Sequence, residues 1–146
     1  MIKRVLLLLA RLAVGGVFVV AGVLKLRDPA AFAQDIANYQ LFAALAPVLA
    51  VILPLLEVVV GATLLALSSP WRRAAALLAG GMMVLFTVSA ASALSRGIDV
   101  ACGCFGGQSG AIGWTTIVRD VALIGAAALI LVADRTATVP GPGSGR

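Results

Sequence analysis

Four long apolar segments constrain this chain more than any other feature of its sequence. A helix needs about 20 mostly apolar residues to cross a bilayer. Four segments reach that length, namely Val5–Leu24, Leu45–Leu67, Ala74–Leu94 and Trp114–Ala133. The sequence lacks the residue alternation that is typical of transmembrane barrel strands. We therefore predict an all-α fold, an integral membrane four-helix bundle.

Composition points to the same class of protein. The 146 residues are 62% hydrophobic and 12% charged, whereas a soluble domain is about half apolar and about a quarter charged. Polar groups are therefore too few to cover a surface in water, and the lipid bilayer is the expected surrounding. The net charge of +5 does not indicate nucleic-acid binding, because most basic residues flank hydrophobic runs instead of clustering with aromatic residues.

The distribution of basic residues predicts how the bundle is oriented. Lys and Arg are enriched in the cytoplasmic connections of membrane proteins. One side of the predicted bundle carries six such residues, Lys3, Arg4, Arg72, Arg73, Arg135 and Arg146, and the other carries three, Lys25, Arg27 and Arg96. We therefore expect both termini in the cytoplasm. A cleaved signal peptide over the first segment is disfavoured, because Arg11 interrupts its apolar core.

Two further parts of the chain have their own signals. In the first outer connection Asp28 is a candidate helix N-cap, with Pro29 at the first helical position. Its apolar residues, Ala31, Phe32, Ile36, Tyr39 and Leu41, predict a short amphipathic helix on the outer membrane surface.

Residues 136–146 are rich in Pro and Gly. We expect them to form a disordered cytoplasmic tail after a four-span domain over residues 1–135.

Small and polar residues mark the faces that should turn inward. In the first span Arg11, Gly15, Phe18, Gly22 and Lys25 share one helical face, and in the second Pro54, Glu57 and Gly61 do. The corresponding residues of the last two spans are Gly80, Gly81, Thr87, Ser89, Ser92, Arg119, Asp120 and Gly125. Small residues let helices approach closely, and small polar ones bond across them.

Four ionisable residues within these spans are candidate site residues: Arg11, Glu57, Arg119 and Asp120. Charges inside a membrane are costly, so they usually pair or serve a function. Glu57 falls near mid-membrane, where either Arg11 or Arg119 could reach it. Two interpretations stay open: a buried ion pair that fixes helix register, and a polar pocket that holds a quinone head group or tunes a thiolate.

The chain has two cysteines, Cys102 and Cys104, in the stretch DVACGCFGGQSG between the last two spans. Zinc normally takes three or four Cys or His ligands, so two cysteines without histidine do not indicate a zinc site. Two thiolates could hold copper(I), but we predict no metal. A disulfide across Gly103 closes too small a loop to add much stability. Strained, exposed pairs are instead the exchange-competent kind. Redox exchange is therefore favoured over incidental loop thiols, with Gly103, Phe105 and Gly106 as supporting loop residues.

The chain resembles the MauE/DoxX group of four-helix bacterial membrane proteins. The resemblance spans nearly all of residues 5–133 and is carried by three segments. These are RLAVGGVFVVAGVLKLRDPAAFAQDIANYQLF (11–42), LPLLEVVVGATLL (53–65) with Glu57, and DVACGCFGG (99–107). The cysteine loop is what makes the chain similar to the methylamine utilisation branch, MauE.

This resemblance implies a multi-pass protein of the bacterial cytoplasmic (inner) membrane, and the distribution of basic residues predicts that its CGC loop is on the outer side. It implies a role in maturing a periplasmic partner, which in methylamine metabolism is the disulfide-rich small subunit of methylamine dehydrogenase. A thioredoxin-like protein is another expected partner. By analogy with DsbB and VKOR, also four-helix thiol oxidoreductases, electrons would pass to quinone as cofactor. Those enzymes have a C-x-x-C and a second cysteine pair, whereas this chain has a single C-x-C.

The leading hypothesis is thus a quinone-linked membrane thiol–disulfide oxidoreductase with Cys102 and Cys104 as catalytic residues. Two other classes of function stay open. One is a non-catalytic scaffold or assembly factor for a periplasmic protein. The other is a small-solute transporter built around the buried charges.

Overall fold

The structure is a computed structural model that describes residues 1–98 and 114–137, the last three of them by backbone alone. The regular elements of these residues are all helical. They are α1 (Ile2–Arg27), α2 (Pro29–Asn38), a 3-10 turn (Ala43–Leu45), α3 (Ala46–Ala66), α4 (Trp71–Ser95) and α5 (Trp114–Ala137). The predicted cysteine site, Cys102 and Cys104 with Gly103, Phe105 and Gly106, lies outside the described residues.

The four long helices confirm the predicted spans. Within the described ranges, α1, α3, α4 and α5 are each long and apolar enough to cross a membrane. Their outward faces carry many exposed large apolar side chains, such as Leu9, Val59 and Leu77. Such surfaces are stable against lipid but not against water. The chain is an all-α, multi-pass membrane protein.

Helices α1 and α3 run antiparallel and approach closely along a seam of small residues. A Cβ added at Gly61 would lie 2.7 Å from the carbonyl oxygen of Gly15. One added at Gly22 would lie 2.7 Å from the carbonyl oxygen of Pro54. Only glycine fits at these two positions, because the obstructing atoms are backbone. This close approach brings the polar residues of α1 and α3 within reach of one another.

The second antiparallel pair is α4 and α5, which are joined by an ion pair at one end. Arg72 donates two hydrogen bonds to the carboxylate of Asp134, at 2.7 and 2.5 Å. All four long helices contribute to one apolar core. Its buried members include Val14, Leu64, Ala76, Met83, Leu123 and Ile130.

The predicted amphipathic helix is present as α2. The Oδ1 atom of Asp28 accepts a hydrogen bond from the backbone N–H of Ala31 at 2.9 Å, which confirms the N-cap. Phe32 is buried, while Leu41 lies beyond the end of the helix and is exposed. Arg96 donates to the carbonyl oxygen of Tyr39 at 2.8 Å, so the end of α4 is tied to the end of α2. We call this end of the bundle the capped end.

Most of the residues predicted to face inward do so. Gly15, Phe18, Gly22 and Lys25 of α1 are buried, as are Pro54, Glu57 and Gly61 of α3. Two predictions were wrong, because Gly81 and Gly125 are exposed. A Cβ added at either would have no neighbour within 4 Å. Gly80, the neighbour of Gly81, faces α5 instead, since a Cβ added there would lie 3.9 Å from the Cβ of Ala127.

The predicted domain boundary at residue 135 falls just before the end of a helix, since α5 continues to Ala137. Residues 138–146 lie outside the described residues. The disordered tail therefore stays a prediction.

Candidate functional site

A buried ion pair between α1 and α3 is the centre of the candidate site. Lys25 Nζ lies 2.5 Å from Glu57 Oε1, with the two side chains only 2% and 4% exposed. Glu57 Oε2 is also buried and accepts no hydrogen bond from any residue that the structure describes. The carboxylate therefore has hydrogen-bonding capacity left over in the interior of the bundle.

The direction of helical side chains explains why Lys25 is the partner of Glu57. A Cα–Cβ bond tilts toward the N-terminus of its helix. Lys25 therefore leans from the capped end toward the bundle interior, and Glu57, on antiparallel α3, leans toward the capped end. The two side chains converge. The sequence had left Arg11 and Arg119 open as residues that could reach Glu57, and the structure places Lys25 against it.

Arg11 has a structural role at the opposite end of the bundle. By the same rule its side chain leans toward the start of α1 and reaches the last turn of α3. There it donates to the carbonyl oxygens of Leu64 and Leu65, at 3.0 and 3.1 Å. The last carbonyls of a helix lack partners within it, and a cation is favourable at that end of the helix dipole. Arg11 therefore caps α3.

Arg119 and Asp120 extend the charged site on the side of α5. Arg119 donates from Nε and Nη2 to Oδ1 of Asp120, at 3.1 and 2.8 Å. Together with Lys25 and Glu57 they line a narrow cleft, and we call these four residues the charged cluster. Three of the four predicted charged site residues thus meet there, and Lys25 replaces Arg11.

The space inside the charged cluster is small. Its volume is about 20 Å³, which is room for roughly one water molecule. A cavity that holds even a benzene ring measures ~150 Å³. The quinone head group predicted beside Glu57 and Arg119 does not fit there.

A larger cavity, of about 220 Å³, lies next to the charged cluster between α2, α3 and α4. We call it the aromatic cavity. Its lining residues are Phe32, Ile36, Tyr39, Leu41, Phe42, Leu45, Leu49, Leu53, Leu85, Phe86 and Ser89. Phe86 also lines the cleft of the charged cluster, so its ring forms part of the wall between the two spaces.

Lys25 connects the charged cluster to the aromatic cavity. Its Nζ atom lies 4.9 Å from the ring centroid of Phe32 and 5.0 Å from that of Phe86. A cation within about 6 Å of a ring face is attracted to the ring. The ammonium group that pairs with Glu57 therefore also holds two walls of the aromatic cavity in place.

Two ionisable residues of α2 have altered titration behaviour. Burial raises the pKa of Asp35, whose Oδ2 atom has no hydrogen-bond partner among the described residues. Burial, together with the negative charges of Asp35 and Asp120, raises the pKa of Tyr39 to about 12. Tyr39, which lines the aromatic cavity, therefore keeps its proton at pH values at which an ordinary tyrosine has lost it.

Comparison with known families identifies the family of the chain. The model of the family described as methylamine utilisation protein MauE matches residues 3–133, which is most of the chain. The chain belongs to the MauE family. Searches of curated proteins and of solved structures found no match. Membership of the MauE family makes it a multi-pass membrane protein linked to methylamine utilisation.

Two parts of the site in this MauE-family chain were not among the site residues predicted from the sequence. Lys25 was placed on the inward face of its span with Gly22 and Phe18, but it was also counted as a charge flanking the membrane and was not named as a site residue; it is 1% exposed. The tilt of side chains on antiparallel helices was the signal that could have revealed its partner. The aromatic cavity could not be found in this way, because it combines residues of α2, α3 and α4.

Proposed function

We propose that this MauE-family protein is a membrane thiol–disulfide redox protein that forms disulfides in a periplasmic partner and passes the electrons to quinone. The observation that carries the proposal is the C-x-C pair, Cys102 and Cys104, in a chain with no other cysteine. A disulfide closed across one residue is strained, and strained disulfides exchange readily. Cys102 and Cys104 are the catalytic residues of this proposal.

The neighbours of the cysteine pair in sequence support a position at one membrane surface. Arg96 is exposed beyond the last turn of α4, and Trp114 is exposed at the first turn of α5. Tryptophan is enriched at membrane interfaces. Because Lys25 is buried inside the bundle, Arg27 and Arg96 are the described basic residues that flank the capped end, whereas Lys3, Arg4, Arg72, Arg73 and Arg135 flank the other. We therefore propose that the capped end faces the periplasm and the termini the cytoplasm.

The proposed reaction has two steps. A thiolate of the partner attacks the Cys102–Cys104 disulfide, and a mixed disulfide forms. The partner's second thiolate then resolves it, so the partner gains a disulfide and the MauE-family chain is left with two thiols. In the second step these thiols transfer two electrons and two protons to quinone, which becomes quinol, and the disulfide forms again.

The partner proposed from the family is a disulfide-rich subunit of methylamine dehydrogenase, because the family is described by methylamine utilisation. A thioredoxin-like carrier between the two is compatible with the same chemistry. Either partner would need to offer a thiol pair to the Cys102–Cys104 disulfide.

The redox state of the cysteine pair in native membranes tests the proposal. Free thiols are alkylated with a reagent that adds mass, after treatment with a dithiol and then with a soluble quinone. We expect the pair to become reduced by dithiol and oxidised again by quinone. A pair that stays in one state through both treatments contradicts the redox function and favours a non-catalytic scaffold. The Cys102→Ser/Cys104→Ser double variant discriminates further, because a scaffold would still support maturation of the partner.

A further inference from the structure

We infer that the aromatic cavity between α2, α3 and α4 binds the ring of a membrane quinone. This inference rests on the proposed function, since it names the place where the electron acceptor binds. It also moves that place away from Glu57 and Arg119, because their cleft of about 20 Å³ is too small for a ring.

The size of the aromatic cavity fits a substituted ring. A cavity of ~150 Å³ accepts benzene, and this one measures about 220 Å³. The additional space is enough for small substituents on a six-membered ring but not for a lipid with two acyl chains. The prenyl tail of the quinone would remain outside, in the bilayer.

The chemistry of the lining favours a planar aromatic ligand. The chain has five Phe, two Trp and one Tyr, and four of these eight residues line this one cavity: Phe32, Tyr39, Phe42 and Phe86. Aromatic rings stack on one another in offset or edge-to-face arrangements. Ser89 adds a hydroxyl group, which is the kind of donor that a quinone carbonyl accepts from. An acyl chain would use neither the rings nor the hydroxyl.

The position of the cavity suits a ligand that arrives from the membrane. Several lining residues are exposed on the apolar outer surface of the bundle, with Leu45 at 54%, Leu85 at 52% and Phe42 at 47%. A ligand dissolved in lipid would therefore enter sideways between the helices. A water-soluble ligand would have to cross an apolar surface first.

Lys25 is a positioning residue of this site. It holds the rings of Phe32 and Phe86 through its ammonium group while its charge is balanced by Glu57. The walls are thereby fixed before the quinone binds, which lowers the cost of ordering them. The ring would lie at the capped end, where α4 ends at Ser95, four residues before Asp99 and seven before Cys102.

Electron transfer from the cysteine pair to a quinone bound in this cavity would need no further reactant. The two thiols of Cys102 and Cys104 lose two electrons and two protons as the S–S bond forms. The two C=O groups of the quinone take up these electrons and protons and become the two C–OH groups of the quinol. The quinol then leaves for the bilayer by the route of entry.

Photolabelling tests the site on the full-length protein in nanodiscs. The probe is an azido-benzoquinone with a decyl tail, and labelled peptides are mapped by mass spectrometry. We expect label on α2, α3 and α4 at the cavity, and displacement by decylubiquinone but not by palmitate. Leu49→Trp, which fills the cavity, should reduce labelling at least tenfold. Leu56→Trp is the matched control, because Leu56 is 42% exposed on the same helix outside the cavity.

A second variant covers the case in which Leu49→Trp fails to fold. Ser89→Leu also fills the cavity and removes the hydroxyl group, and it should likewise reduce labelling at least tenfold. Two results would overturn the inference. One is labelling that neither variant reduces. The other is label that palmitate displaces as well as decylubiquinone does, which would make the cavity an acyl-chain site.

The Cys102→Ser/Cys104→Ser variant separates this inference from the proposed function. Labelling that persists in this variant supports the site even if the cysteine pair proves redox-inactive. A pair that cycles with quinone while the label maps elsewhere keeps the proposed function and rejects this cavity.

Discussion

Lys25 on α1 and Glu57 on α3 form an ion pair that is almost completely buried within the bundle, 32 residues apart in sequence. Lys25 also contacts the rings of Phe32 and Phe86. One ammonium group therefore joins α1 to α2, α3 and α4. An arrangement of this kind fixes the register of the helices and shapes the cavity beside it.

Removal of one member of this pair should destabilise the protein strongly. Breaking a buried ion pair costs about 3–5 kcal/mol, because the remaining charge is left unbalanced. We expect Lys25→Met and Glu57→Leu each to lower thermal stability in detergent, and the double variant to lie closer to the wild type. A double-mutant cycle measures the coupling. Lys3→Met, at an exposed position, is the control. Single and double variants with additive losses would contradict the pairing.

Glycines at the α1–α3 contact should respond to alanine in the opposite way from exposed glycines. Gly61→Ala places a Cβ against the backbone of Gly15, and overpacking of this kind costs about 1–3 kcal/mol. Gly81→Ala has open space around the new Cβ, and alanine favours a helix by up to ~1 kcal/mol over glycine. Thermal unfolding of both variants compares them directly. Equal effects would show that α1 and α3 do not approach this closely.

Tyr39 should titrate far above the ordinary value of a tyrosine. It is the only tyrosine of the chain, so the rise in tyrosinate absorbance reports this residue alone. We expect a pKa of about 12, because burial and the negative charges of Asp35 and Asp120 disfavour the phenolate. Asp35→Asn should lower the pKa of Tyr39 by removing one of these charges. A midpoint near 10 would mean that α2 is not packed against the bundle.

The raised pKa of Tyr39 also predicts how the stability of the protein changes at high pH. The pKa of Tyr39 in the folded protein is raised, so the unfolded state loses its proton first as the pH rises above 10. The docking of α2 should therefore weaken between pH 10 and about 12. Tyr39→Phe should remove this loss. Limited proteolysis in the 27–45 region measures how firmly α2 is docked.

Labelling of the native cysteines should establish the orientation of the protein. Cys102 and Cys104 are its only cysteines, so a membrane-impermeant maleimide needs no engineered site. After mild reduction we expect equal labelling in intact and in permeabilised spheroplasts, because the bias of basic residues predicts that these cysteines lie outside. Ser144→Cys in the Cys102→Ser/Cys104→Ser background is the control and should react only after permeabilisation. The reverse pattern would invert the proposed topology.

The spans, the cap of α2 and most inward faces could be predicted from the sequence, because each depends on local chemistry. Helix length follows from the run of apolar residues. The cap of α2 is equally local, because the Asp28 side chain accepts from the backbone N–H of Ala31, three residues further along the chain. That Gly15 and Gly22 share one face of α1 follows from the helical period, whereas their contact with Gly61 and Pro54 of α3 depends on packing. Gly81 and Gly125 were misplaced because a small residue by itself does not say which face of its helix meets a neighbour.

The partner of Glu57 and the two cavities were decided only by the tertiary structure. Arg11, Lys25 and Arg119 all lie on spans that could approach Glu57. Which of them meets it depends on the pairing of α1 with α3 and on the opposite tilt of side chains on antiparallel helices. The aromatic cavity requires α2 to fold back over α3 and α4, and its volume is what these helices leave unfilled. The sequence thus determined which residues are apolar, small or charged, whereas packing determined which of them meet and how much space remains between them.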